Sequence, residues 1–80
     1  ELSGFVTAVA LVRPDKSIHS VEVSSVRKKM KDKAFAAKVS REGIMHGAEV
    51  IGMELDELIG EVIAALRAAA PRLGLAGINQ

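Results

Sequence analysis

The sequence contains no cysteine, tryptophan or tyrosine, and its only aromatic residues are Phe5 and Phe35. Without cysteine the chain cannot form disulfides, which is typical of a protein in a reducing cytoplasm. With few aromatics and a net charge of only +1, it lacks the stacking side chains and the basic excess of a typical nucleic-acid binder. The stretch from Leu2 to Val12 carries no charge, but it is too short to span a bilayer, so we expect no membrane insertion.

The length of 80 residues allows one domain at most. Apolar residues make up 49% of the chain and charged residues 26%, a balance typical of a globular protein. The first residue is Glu1 and not Met, which indicates a segment of a longer protein or a processed product. We therefore expect a single helical domain or a fragment of one, in the cytoplasm.

The spacing of apolar residues predicts an all-α protein of four or five short helices. Pro14 should end the first helix, because proline disfavours helix in the residue before it. Gly52 should end another in the left-handed conformation, and Gly74 should end the last. The predicted elements are an apolar helix over residues 2–13, a connector over 14–24, a basic helix over 25–38, a helix over 41–51, an amphipathic helix over 55–73 and a loose tail over 74–80.

Further local signals refine these helices. Ser24 or Ser25 is expected to cap the basic helix, and Ser40 the helix after it. Pro71 should kink the last turn of the amphipathic helix, since it removes one backbone hydrogen bond. Apolar stripes are expected to face the core, formed by Val26, Met30 and Ala34 on the basic helix and by Ile44, Met45, Ala48 and Ile51 on the next. The connector should be anchored by Ile18, Val21 and Val23.

The uncharged first segment raises the question of what covers it. Its β-branched residues leave a buried strand open, but its length and small residues favour a helix. A helix that is apolar all round is normally buried all round, and the rest of this short chain cannot easily enclose it. A missing part of the parent protein, a symmetric partner or an exchange of elements between copies could cover it. Alternatively, Thr7, Ala8 and Ala10 simply tolerate exposure.

No complete catalytic or metal-binding site is evident in the sequence. His19 and His46 are the only histidines, and neither has a second histidine at metal-ligand spacing. Glu42 and Glu49 flank His46 at helical spacing, a pattern more typical of a surface histidine than of a metal site. Neither a nucleophile elbow nor a phosphate-binding glycine loop occurs. We therefore predict no catalytic residue and no metal ligand in this chain.

The densest local charge is the basic run over residues 27–33. One interpretation is a solvated helix face, with the aliphatic stems covering apolar surface. The other is a patch that contacts a phosphoester or nucleotide, with Arg41 joining it near a helix start. Under this second interpretation the candidate phosphate contacts are Lys31, Lys33 and Arg41.

Several stretches resemble the later part of small bacterial HD-domain hydrolases. They are residues 1–14 (ELSGFVTAVALVRP), residues 26–36 (VRKKMKDKAFA) followed by 39–42 (VSRE), and the ending from LDEL at 55–58 through APRLGL at 70–75. The similarity covers essentially the whole chain, and the middle motif is the most specific. It implies an all-α, metal-dependent phosphohydrolase whose divalent metal is held by a histidine, a His-Asp pair and a last aspartate.

The chain departs from that family pattern at the metal site. It has no His-Asp doublet, and the last metal aspartate would fall immediately before Glu1. His19 and His46 do not match the family's metal positions. The resemblance thus implies a C-terminal half whose missing N-terminal helices would cover the first helix. Arg13 would lie about 18 Å from the metal aspartate along that helix, so the resemblance does not place it on the substrate.

Three functional hypotheses follow from these observations. The chain is a C-terminal fragment of an HD-type phosphohydrolase, inactive alone and acting on a phosphorylated small molecule within the intact protein. Alternatively, it is a stand-alone interaction module that forms a homo-oligomer through the helix from Leu2 to Val12. The third hypothesis is a weak nucleic-acid binder using residues 27–33, whose affinity would fall steeply with salt.

Overall fold

The computed structural model describes residues 2–38 and 41–77, and its regular structure within these ranges is helical. The α-helices are α1 (Leu2–Leu11), α2 (Val23–Met30), α3 (Arg41–Ile51), α4 (Leu55–Ala68) and α5 (Ala70–Leu73), and short 3₁₀ helices occupy Ile18–Ser20 and Phe35–Lys38. An isolated antiparallel bridge joins Ser17 and Ala76. The predicted all-α class is confirmed.

Helix α1 packs one face against the core and leaves the other open. Its buried residues recur every three or four positions, the spacing of a single helical stripe. They are Leu2, Phe5, Val6, Val9 and Ala10. The expected burial on every side does not occur within this chain, because Thr7 and Ala8 are only half-buried. Just beyond the stripe, Leu11 is 44% exposed and Val12 is 56% exposed.

The connector between α1 and α2 is anchored as predicted. The side chains of Ile18 and Val21 are fully buried, and Val23 packs at the edge of the core. Arg67 of α4 fastens the backbone here, since its Nη2 donates to the carbonyl oxygens of Val21 at 3.0 Å and His19 at 3.4 Å. These contacts hold the connector against α4.

The basic helix is shorter than predicted. Helix α2 begins at Val23, so Ser24 and Ser25 lie inside it and neither caps it. It ends at Met30 because Asp32 offers the backbone another partner: its Oδ1 accepts the Phe35 N–H at 3.0 Å, and a 3₁₀ helix follows. Ala34 is consequently exposed and does not extend the buried stripe. The predicted Ser40 cap lies outside the described residues.

Glycines end two helices as predicted. Gly52 and Gly74 have φ of 73° and 72°, the left-handed conformation that favours glycine. At the end of α3, the Gly52 N–H donates to Glu49 O at 3.1 Å and the Met53 N–H to Ala48 O at 3.0 Å. This pair of bonds is the Schellman motif, which satisfies carbonyls that the helix end would leave without partners.

The C-terminal segment differs from the predicted kinked helix and loose tail. The break before Pro71 is complete: Ala69, with φ −101° and ψ 5°, separates α4 from α5. After Gly74 the chain returns to the core, where Leu75 is only 1% exposed and its carbonyl accepts the Ile18 N–H at 2.8 Å. Residues 74–77 are therefore part of the packed fold, and residues 78–80 lie outside the described range.

Helix α3 is attached along a narrow line. Ile44 and Ala48 are buried, as predicted, whereas Met45 and Ile51 are more than half exposed and not on the core face. The reason is that α3 meets the rest of the fold mainly along one side, against α4.

None of the described helices has the length and apolar character needed to cross a membrane.

Candidate anion-binding site

A depression of about 470 Å³ lies between the end of α1 and the helix α2. Four cationic side chains and one carboxylate line it, together with an apolar residue and a serine. The lining residues are Val9, Arg13, Ser25, Lys28, Lys29, Lys31 and Asp32. We call this depression the basic pocket.

The wall formed by α2 follows from helical geometry. Ser25, Lys28, Lys29 and Asp32 are spaced three and four residues apart, which places them on one flank of a helix. Val26 and Met30 turn toward the core and fix the rotation of α2. The lysines are therefore presented toward α1 because the apolar side of the helix is buried.

The opposite wall comes from the end of α1 and the turn after it. Arg13 is held there by its Nε, which donates to Ser20 Oγ at 2.9 Å and lies 3.8 Å from Asp15 Oδ1. An arginine carries five N–H donors, so a side chain anchored through Nε still has its Nη groups to offer an anion. The resemblance to HD-domain hydrolases does not place Arg13 on the substrate. The structure places Arg13 in this pocket.

The turn that holds Arg13 also shifts a titratable group. Hydrogen bonds from the Ser20 hydroxyl and the Ser17 N–H, together with the Arg13 charge, lower the pKa of Asp15 below its ordinary value of 3.8. All three interactions favour the ionised carboxylate, and they outweigh the opposing effect of partial desolvation. Asp15 is therefore charged at neutral pH and restrains the Arg13 guanidinium.

Lys29 is positioned by the two aromatic residues of the chain. Its Nζ lies 5.0 Å from the centroid of the Phe35 ring, a cation–π contact. Phe35 in turn meets Phe5 of α1 edge to face, with centroids 5.5 Å apart and an interplanar angle of 76°. The aromatic pair thus links the core to one of the pocket's cations.

The structure brings together only part of the predicted phosphate-contact set. Lys31 lines the basic pocket, whereas Lys33 is exposed and is not among its lining residues. The side chain of Arg41 lies outside what the structure describes. Lys28 and Lys29 belong to the basic run that was predicted as a possible phosphate patch, but they were not among the named contacts, and Arg13 was not expected to contact substrate. The spacing along α2 could have identified the lysines, but nothing local in the sequence connects Arg13 to them.

The lysines also have a structural role. Lys28 and Lys29 lie in the last turn of α2, where positive charge complements the helix dipole. Such an interaction contributes about 0.3–1 kcal/mol for each residue. It accounts for lysines at a helix end but not for Arg13, which belongs to another element and faces the same pocket. The convergence of the two walls therefore makes this depression a candidate anion site.

The divalent metal that the family resemblance implies does not fit the described residues. No three histidine, aspartate or glutamate side chains in residues 2–38 and 41–77 are grouped to hold a metal ion. His19 and His46 are both exposed, on a 3₁₀ helix and on α3 respectively.

Comparison with known proteins gave no relative. No family model matches the chain, and neither the curated proteins nor the solved structures contain a significant match. The HD-type interpretation therefore rests on the motifs in the sequence, and the anion site rests on the geometry of the basic pocket.

Proposed function

We propose that this chain supplies C-terminal helices of an HD-type metal-dependent phosphohydrolase. Its basic pocket binds a phosphate group of a phosphorylated small molecule at a distance from the metal, because Arg13 would lie about 18 Å from the last metal aspartate. The convergence of Arg13 with Lys28, Lys29 and Lys31 on one depression supports this function. The all-α fold is compatible with it. Metal chemistry would come from residues that the described part of this chain does not contain.

The electrostatics of the pocket favour a phosphate. A phosphate monoester carries about −1.5 to −2 charges at neutral pH. The pocket offers four cations against the carboxylate of Asp32 in its lining and that of Asp15, which pairs with Arg13. Arginine binds phosphate oxygens in a bidentate manner, and lysine contributes as a point charge.

A small molecule fits the pocket better than a nucleic-acid strand. Single-stranded nucleic acids are bound by grooves that combine cations with stacked aromatic rings. No aromatic residue lines the basic pocket, and the Phe35 ring is engaged by Phe5 and Lys29. The cations also converge on one depression instead of extending along a strand path.

Titration of the ¹⁵N-labelled chain with inorganic phosphate and with phenyl phosphate tests the pocket. We expect amide shifts centred on residues 25–32 and Arg13, and no turnover by the chain alone. The double variant Lys28→Gln/Lys29→Gln should weaken binding about tenfold or more, since it removes two charge-assisted contacts. Its charge-matched control is Lys16→Gln/Lys33→Gln, which removes two exposed lysines outside the pocket. Equal losses in both variants would show unspecific attraction and refute the site.

The family assignment has a separate test. Under the proposal, the coding sequence upstream of Glu1 contains an Asp codon directly before it and a His-Asp doublet further back. An upstream sequence without these codons would refute it. Metal analysis of the purified chain gives a second readout, because stoichiometric, tightly bound divalent metal would contradict a metal site located elsewhere.

The uncovered face of α1 favours the second candidate, a homo-oligomerising interaction module. Leu11 and Val12 are about half exposed at the end of a helix that carries no charge over residues 2–12. Sedimentation of the chain at low concentration tests this function. A stable dimer that Leu11→Glu converts to monomer would support it, and a monomer across the concentration range would exclude it.

A further inference from the structure

All three methionines of the chain line two adjoining depressions between α2, α3 and α4. Each depression has a volume of about 310 Å³. The first is lined by Arg27, Met30, Lys31, Glu42, Met45 and Leu55. The second is lined by Met45, Ala48, Glu49, Gly52, Met53, Glu54 and Leu55. Met45 and Leu55 belong to both, and we call the combined surface the methionine groove.

Met45 lies at the junction of the two depressions. It is 55% exposed, although Ile44 and Ala48 beside it already attach α3 to the core. Met45 thus contributes little to the packing of its own chain. Methionine is unbranched and polarisable, and surfaces rich in it adapt to apolar side chains of different shape. Met30 is buried in the core, so Met45 and the half-buried Met53 are the methionines that the groove presents to a partner.

The charged residues around the methionine groove indicate which kind of partner it can bind. Glu42, Glu49 and Glu54 are exposed at its edges. Of the two cations, Arg27 is paired through Nη1 with Asp56 Oδ1 at 3.2 Å, which leaves Lys31 as the cation without an ion pair in the described structure. Among the side chains that the structure describes, the second depression has two glutamates at its edge and no cation. The surface is thus complementary to an apolar segment flanked by lysine or arginine.

We propose that the methionine groove binds a basic amphipathic helix of a partner protein. Apolar side chains one or two turns apart would enter the depressions on either side of Met45, and basic side chains would face Glu49 and Glu54. A second copy of this chain cannot supply such a helix. Its own basic helix, α2, already buries its apolar side through Val26 and Met30. This inference does not depend on the proposed phosphohydrolase function.

A 14-residue helical peptide of leucine and lysine, with leucines at i, i+3, i+4 and i+7, serves as the probe. A leucine–glutamate peptide of the same pattern and a scrambled leucine–lysine peptide are its controls. The readout is the ¹³C-methyl NMR spectrum of the three methionines in the 80-residue chain. We expect the Met45 and Met53 methyl signals to shift with the patterned lysine peptide, and both control peptides to bind at least tenfold more weakly.

Variants locate the binding surface. Met45→Gln and, separately, Glu49→Gln/Glu54→Gln should each weaken the lysine peptide about tenfold. Val50→Gln is the matched control, because Val50 is 71% exposed on the same helix but does not line the groove. Circular dichroism of each variant verifies that it remains folded. The Glu49→Gln/Glu54→Gln variant tests the charge requirement while leaving the apolar lining unchanged.

Three outcomes would overturn the proposal. Equal binding of the scrambled peptide would show unspecific charge attraction, and equal losses in the Val50 and Met45 variants would place binding elsewhere. A concentration-dependent dimer that shifts the Met45 methyl signal without peptide would assign the groove to a second copy.

Discussion

Helix α2 separates two depressions of opposite chemistry. The basic pocket lies on the flank that carries Lys28 and Lys29, and the methionine groove lies on the flank of Arg27 and Met30. Lys31, just after the helix, lines both. Because 3.6 residues make one turn, neighbours in sequence face different flanks, so an eight-residue helix contributes to two unrelated surfaces.

The two depressions also differ in how their far walls are held. Across the basic pocket, Arg13 is fixed by Ser20 and Asp15, and α1 is part of the core. Across the methionine groove, α3 is attached mainly through Ile44 and Ala48. A preorganised wall suits a small anion of defined geometry, whereas a wall held along one line suits a partner to which it can adapt.

The largest expected effect comes from a substitution in the hydrophobic core that supports both depressions. Leu75→Ala should lower the free energy of unfolding by about 2–5 kcal/mol, because it leaves a cavity in the hydrophobic core next to the connector. The variant should therefore unfold at a lower temperature than the unmodified chain. At that temperature, binding of phosphate and binding of the peptide should be lost together. The control is Leu73→Ala, at a site 49% exposed, which should cost less than 1 kcal/mol. Urea unfolding measures both, and similar losses would contradict the core position of Leu75.

A smaller effect distinguishes the two surfaces through the residue they share. Lys31→Gln should weaken phosphate binding in the basic pocket by roughly 1.5- to 5-fold, the range for an exposed charge pair. The same change should strengthen binding of the leucine–lysine peptide slightly, since it removes a like charge from the groove. The two titrations described above measure both effects. Changes in the same direction would contradict the separate chemistry of the two flanks.

The smallest effect concerns the anchor of Arg13. Asp15→Asn should remove a stabilising contribution that depends on pH. Because the pKa of Asp15 is lowered by folding, this contribution is present above its ordinary value of 3.8 and is lost as pH falls through the folded value. Denaturation of both proteins between pH 6 and pH 2 measures it. A difference in stability that stays constant over this whole range would rule out the anchoring role.

Local patterns predicted much of the fold but only part of the candidate site. The burial of Ile18 and Val21 and the helix end at Gly52 followed from apolar spacing and glycine conformation. The end of α2 did not, because it depends on Asp32 competing for the Phe35 N–H. Of the two predicted phosphate contacts whose side chains the structure describes, Lys31 lines the basic pocket and Lys33 does not.

The sequence by itself determined the helical class and the glycine helix ends. Only the tertiary structure decided that Arg13 faces the lysines of α2, that Leu75 belongs to the core and that the three methionines line one groove. The physical reason is the distance along the chain over which each kind of interaction acts. Periodicity and backbone conformation act over a few residues, whereas these groupings depend on how α1, α3 and the C-terminal segment pack around α2 and α4.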